Sequence, residues 1–224
     1  MDRSDAVSLE IESLHIADPA EAWTRAGFRV DSDVDSAVGH VCRVGGVRIR
    51  LIGSSRGSGI VGWTLRGLPP DSRPADVDGI PKASSQADAP APAAHPNGVT
   101  AIDHVVLMSP DLDRTVRALV ALGVHPRRER DAEIGGRPIR QIFFRFSDVV
   151  IEVVGSPGTA GSGPATLWGI TYVVTDIDAT AAFLGERTTA VKQAVQPGRR
   201  ITTLRHRDVG MSVRTAMISP RRDR

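Results

Sequence analysis

A chain of 224 residues, 41% of them hydrophobic, can bury one large core or two small ones. Its single cysteine, Cys42, excludes an internal disulfide and a cysteine-based zinc site. A formal charge of +2, with acids and bases interleaved and only 4% aromatic residues, argues against nucleic acid as a partner. No apolar run reaches the roughly 18 to 20 residues of a membrane span, and the polar start Met1 to Ala6 is unlike a secretory signal, so a cytoplasmic protein is expected.

In chain order, "VSLEIESLHIA" reads as a strand. "DPAEAWTRAG" reads as a helix with Asp18 as N-cap, Pro19 at the first helical position and Glu21 placed for a capping box. "GHVCRVGGVRIRLIG" predicts a hairpin turning at Gly45 and Gly46, with Cys42 as a buried, inert thiol. "GIVGWTLRGL" adds a strand. The stretch from Leu68 to Gly98, rich in Pro, Ala, Ser and Asp and without an apolar period, reads as a linker. The expected division is therefore a shortened N-terminal module over 1–68, a linker over 69–98, a two-module domain over 99–219 and a basic tail over 220–224.

"TAIDHVVLM" predicts a strand with Ile102, His104, Val106 and Met108 on one face. Ser109 then suits an N-cap and Pro110 the first helical position, while Leu112, Val116, Leu119 and Val120 form an apolar stripe that ends at Gly123. "HPRRERDAE", "RPIRQIFFRF" and "DVVIEVVG" predict three more strands. After the Gly-rich "GSPGTAGSG" the order returns: strand "LWGITYVV", helix "DIDATAAFLG", then strands "AVKQAV", "RRITTLRH" and "GMSVRTAMI", with a turn at "QPGR". The glycine runs lack the lysine and helix of a phosphate loop and read as connections. Self-similarity of this kind predicts an α+β fold of repeated βαβββ modules. Laying Gly27 on Gly123 puts Ser8 on His104, and laying Gly53 on Gly155 puts Arg50 on Glu152.

A repeated βαβββ unit with a histidine in its first strand and a glutamate in its last resembles the vicinal oxygen chelate superfamily, which includes glyoxalase I, extradiol dioxygenases and bleomycin-resistance proteins. The segments "IDHVVLMSPDLDRTVRAL", "RQIFFRF", "VVIEVVG", "LWGITYVV" and "VQPGRRITTLR" are similar to bacterial glyoxalase-like proteins in particular. The resemblance implies cup-shaped, half-barrel mixed sheets with helices packed outside. It also implies a divalent ion, Zn, Ni, Fe or Mn, held by one donor from each of four strands. By position His104 and Glu152 are the metal ligands of one unit, Glu152 being the catalytic candidate as well. In the other unit Ile170 and Arg214 stand where further donors are expected, and His206 and Gln196 are the residues that could complete a rearranged site.

Gln141, Phe143 and Arg145 share one strand face and, with Trp168 and Arg214, are the candidate ligand-binding residues. For Arg145 a surface place at the strand edge, and for Trp168 a packing role, stand beside that reading. His104 and Glu152 have the alternative of bonding to each other without a metal. His15, His40, His95 and His125 have no metal-like spacing. Two functions follow as expectations: a metal-assisted lyase or isomerase of the glyoxalase type, or a metal-free protein that binds or sequesters a small molecule. Either is compatible with a homodimer, and a third role for the N-terminal copy is to cover a sheet edge or subunit interface.

Overall fold

The computed structural model describes residues 9–33, 39–68 and 75–221. A first βαβββ unit comprises β1 (Glu10–Ile16), α1 (Ala20–Arg25), β2 (Asp31–Asp33), β3 (Gly39–Val44) and β4 (Val47–Leu51). It is followed by β5 (Ile60–Arg66), β6 (Asp76–Val77) and β7 (Ile80–Ser85). A second full unit holds β8 (Val99–Met108), α2 (Leu112–Val120), β9 (Pro126–Ile134), β10 (Arg137–Phe146) and β11 (Val149–Gly155). A third holds β12 (Thr166–Val174), α3 (Ile177–Leu184), β13 (Lys192–Gln193), β14 (Arg200–Thr203) and β15 (Arg214–Ile218).

First strands pair antiparallel and each takes its unit's last strand as a parallel neighbour. Thus β8 lies between β11 and β12, and β1 between β4 and β5. One half of the mixed sheet runs β2-β3-β4-β1-β5-β7 and the other β9-β10-β11-β8-β12-β15-β14, joined where Leu167 of β12 meets Ile60 of β5. This is the expected α+β architecture of cup-shaped mixed sheets with helices outside.

Strand alternation decides which side is core. Val105 and Leu107 of β8, Phe144 of β10, Ile151 and Val153 of β11 and Ile170 of β12 point away from the cup and are almost fully buried. Each such side chain stabilises the fold by about 1.5–3 kcal/mol. The two halves share this core: Phe28 packs its ring 5.2 Å from Tyr172 and 4.8 Å from Trp23. Cys42 is fully buried, and burial pushes its thiol up.

Several expectations are corrected. Within the stretch read as a linker, β7 pairs in parallel with β5 over Trp63↔Lys82 to Arg66↔Ser85. Its sequence, IPKASS, is half exposed and carries one buried apolar side chain, Ile80, so periodicity could not show it. Asp18 does not cap α1. Its carboxylate accepts from the buried Trp23 indole N–H (3.0 Å) and from Ser212, because an indole donor away from water needs an acceptor. Asp111, not Ser109, caps α2 by accepting from the Arg114 amide at 3.0 Å. Ser8 lies outside the described residues, and the register instead sets Ser13 in the place of His104: Ser13↔Arg48 and Ser13↔Thr64 correspond to His104↔Val150 and His104↔Thr171. By the same register Arg50 does occupy the place of Glu152.

Candidate functional site in the C-terminal cup

Register places one set of side chains on the concave face of the second sheet half. Phe143 of β10 pairs Arg128 of β9 on one side and Glu152 of β11 on the other, and Gln141 pairs Arg130. Val150 pairs His104, His104 pairs Thr171, and Gly169 pairs both Val106 and Arg214. Directly paired residues share a face, so Arg128, Arg130, Gln141, Phe143, Arg145, Glu152, His104, Thr171 and Arg214 face the same concavity.

His104 and Glu152 form its floor, their side chains 14% and 12% exposed, with His104 Nε2 at 3.4 Å from Glu152 Oε2. A β-bulge brings in a further group. Thr171 pairs His104 and Tyr172 pairs Ile102, so Asp103 is an extra residue in β8. Such a bulge turns neighbouring side chains to one side, and Asp103 Oδ2 accepts from His104 Nδ1 at 2.9 Å. The other Asp103 oxygen takes Arg199 at 2.5 Å, and Arg199 also donates to the Ser219 carbonyl. Burial alone would raise the Asp103 carboxyl. The hydrogen bonds from His104 and Arg199 overcome it and hold the group at about 2.

On the other side, Glu152 accepts from Gln141 and Gln141 accepts from Arg130. A continuous chain thus crosses the floor: Arg130, Gln141, Glu152, His104, Asp103, Arg199. With Nδ1–H given to Asp103, His104 turns Nε2 to Glu152, and a proton on either Nε2 or Oε2 makes their contact attractive.

The remaining candidates sit at the rim. Trp168 is an extra residue in β12, between the pairs Leu167↔Leu107 and Gly169↔Val106, and is 45% exposed. The Arg214 guanidinium lies over its ring at 4.6 Å. Across the cup Arg128 lies over Phe143 at 4.7 Å, a residue the sequence reading passed over because its position emerges only from the β9–β10 register. Arg145 is exposed and donates to the Ser147 carbonyl at 2.8 Å. A separate cleft of about 340 Å³, bordered by Asp113, Arg117, Glu129 and Arg140, lies beside α2 and holds none of these groups.

The donor set does not fit a complete catalytic metal centre, which takes at least three protein ligands. Ile170 does not stand in the ligand position, because it is buried on the helix side and pairs Val105. The residue opposite His104 is Thr171. Nor does Arg214 match Glu152: two positions beyond the Thr171↔Ala216 pair, as Glu152 is two beyond Val150, stands Ile218. His206 lies in a 3-10 turn over His206–Val209 and Gln196 in the β13–β14 turn. Among the described residues no three His, Cys, Asp or Glu side chains converge as a metal site would need.

Comparison with known proteins bears on the fold. The profile of the Glyoxalase/Bleomycin resistance protein/Dioxygenase superfamily matches residues 103–203. No curated protein sequence matches the chain. Among solved structures, a mutant of 4-hydroxymandelate synthase from Streptomyces coelicolor superposes with a TM-score of 0.65 at 14% identity, over 97% of this chain and 94% of that one. Catechol 2,3-dioxygenase gives 0.62 at 11% identity, over 95% and 88%. A xylose isomerase-like TIM barrel/4-hydroxyphenylpyruvate dioxygenase fusion protein gives 0.63 at 14% identity over 96% of this chain, which spans about half (49%) of that protein. No helix among the described residues is long and apolar enough to cross a membrane. The chain has the vicinal oxygen chelate fold, and its residues 103–203 match the model of the glyoxalase, bleomycin-resistance and dioxygenase superfamily.

Proposed function

We propose that the C-terminal cup is a small-molecule site that works without a resident metal, with His104 and Glu152 at its floor and Gln141, Phe143, Arg145, Trp168 and Arg214 around its wall and rim. The observation that carries this reading is the chain of polar contacts from Arg130 to Arg199, hydrogen-bonded on either side of the 3.4 Å approach of His104 to Glu152. Each ligand-type side chain has a hydrogen-bond partner within the protein, Asp103 for His104 and Gln141 for Glu152, while the matching positions of the third unit hold Thr171 and Ile218. Glu152, with Oε2 3.4 Å from His104 Nε2, is the group suited to exchange a proton with a bound molecule. On this reading the four-donor pattern of the superfamily has decayed to half, and the cup retains binding with acid–base capacity.

A glyoxalase-type lyase or isomerase with a metal on His104 and Glu152 is the second reading, favoured by the 3.4 Å approach of two good donors. Metal analysis of the purified protein by mass spectrometry, after incubation with Zn, Ni, Fe(II) or Mn and removal of excess, separates the two. The metal-free reading expects substoichiometric metal in wild type, unchanged in His104→Ala and Glu152→Ala. Near-stoichiometric metal that disappears in both variants would overturn it. The protein as read here acts alone or as a homodimer, with neither nucleic acid nor membrane as partner, in the cytoplasm.

A further inference from the structure

Resting on the reading of the cup as a small-molecule site, we infer that its ligand is an organic anion with an aromatic or otherwise flat apolar body. The concave face carries an unusual charge balance. Asp103 is neutralised by Arg199, which leaves Glu152 as the one carboxylate of the floor network facing Arg128, Arg130, Arg145 and Arg214. Arg130 is committed to Gln141. Among the described residues no carboxylate lies in salt-bridge contact with Arg128, Arg145 or Arg214.

Two of these arginines lie over aromatic rings on opposite walls, Arg128 over Phe143 and Arg214 over Trp168. A guanidinium that stacks on a ring has one face covered, while its N–H donors remain free along its edge. That is the geometry that receives a carboxylate, sulfonate or phosphate through two parallel hydrogen bonds. The ring beneath each guanidinium, with Val106 and Met108 of β8 between the walls, offers apolar surface to the body of the same ligand. The positive face also raises the local concentration of anions and disfavours cations, in keeping with the incomplete metal donor set.

The test uses two fluorescent probes that differ by one charged group, 1-anilinonaphthalene-8-sulfonate and its neutral parent N-phenyl-1-naphthylamine. Both are titrated into wild type, Arg128→Met, Arg214→Met and Trp168→Ala, at low and high salt. The expected result is that the sulfonate binds about tenfold more tightly than the neutral probe, that each arginine substitution removes most of this preference, and that salt weakens only the sulfonate. Equal binding of both probes, lost in Trp168→Ala and indifferent to the arginines, would overturn the anion inference and leave the small-molecule site standing. Binding insensitive to all three substitutions would overturn both.

Discussion

The two halves of the sheet share a register and differ in what they place on it. Both first strands bulge at an acid: Glu12 is the extra residue in β1 as Asp103 is in β8, since Ile11 pairs Leu65 and Ser13 pairs Thr64. Both acids meet an arginine at 2.5 Å, Arg48 for Glu12 and Arg199 for Asp103. The sequence Gly62-Trp63-Thr64 repeats the places of Gly169-Ile170-Thr171, and Pro81-Lys82-Ala83 those of Arg214-Thr215-Ala216. At the floor the halves part. Ser13 and Arg50 stand where the C-terminal cup has His104 and Glu152, and His15 bonds Thr64 at 3.1 Å and Ser13 at 3.3 Å. The N-terminal concavity is also crossed by chain, for Arg48 and Arg66 hold the carbonyls of Asp88 and Ala87. Backbone geometry and a bulge acid are thus common property, whereas the His–Glu pair and the open, arginine-rimmed face belong to the C-terminal cup.

The largest effects should fall on the shared core. Trp63 and its counterpart Ile170 are both buried on the helix side, so Trp63→Ala should cost about 3–5 kcal/mol and Ile170→Ala about 2–5 kcal/mol in urea unfolding. A cost below about 1 kcal/mol at either position would break the proposed correspondence.

Next come the bulge acids. Asp103→Asn leaves Arg199, itself 4% exposed, without its counter-charge and should cost about 3 kcal/mol, whereas Glu12→Gln, facing the 21% exposed Arg48, should cost less. Asp103 is held at about 2, below the ordinary value of about 3.9 for aspartate. A depressed carboxyl stabilises the fold above its unfolded value and loses that contribution as pH falls through its folded one. The stability advantage of wild type over Asp103→Asn should therefore be full above about pH 4 and shrink toward pH 2. An advantage that stays constant over this range would separate Asp103 from the ion pair.

A smaller and matched effect is expected at the two strand glycines. A Cβ at Gly62 would meet the Pro81 carbonyl oxygen at 2.9 Å, and one at Gly169 the Arg214 carbonyl oxygen at 2.8 Å. Alanine at either should cost about 1–3 kcal/mol, and by similar amounts in chemical denaturation. The smallest contribution is that of the exposed carbonyl contacts of Arg48 and Arg66, worth about 1 kcal/mol or less; Arg48→Ala combined with Arg66→Ala removes these together with the ion pairs to Glu12 and Glu10. Hydrogen exchange over residues 86–94 should nevertheless rise in the double variant. Unchanged protection there would show that the crossing segment is held by other contacts.

Much of this was legible in the residues because the signals are local. Apolar alternation located β8, β10, β11 and β12, and the stripe from Leu112 to Val120 located α2. Order and spacing then supplied the resemblance to a known fold and singled out His104 and Glu152. Where reading failed, a local rule had met a distant partner. Asp18 looked like a cap until the Trp23 indole and Ser212 were seen to claim its oxygens. Residues 80–85 looked like a linker because a strand can be formed by the hydrogen bonds of its neighbour β5 with little apolar pattern of its own.

The sequence by itself determined the elements, their order and the types of side chain available for chemistry, since these depend on periodicities of a few residues. Only the tertiary structure decided which side chains meet. A one-residue bulge turns Asp103 toward His104 and moves the counterpart of His104 from Ile170 to Thr171. Because side chains alternate along a strand, a shift of one position exchanges the cup for the core, and register is settled by pairing between strands far apart in the chain.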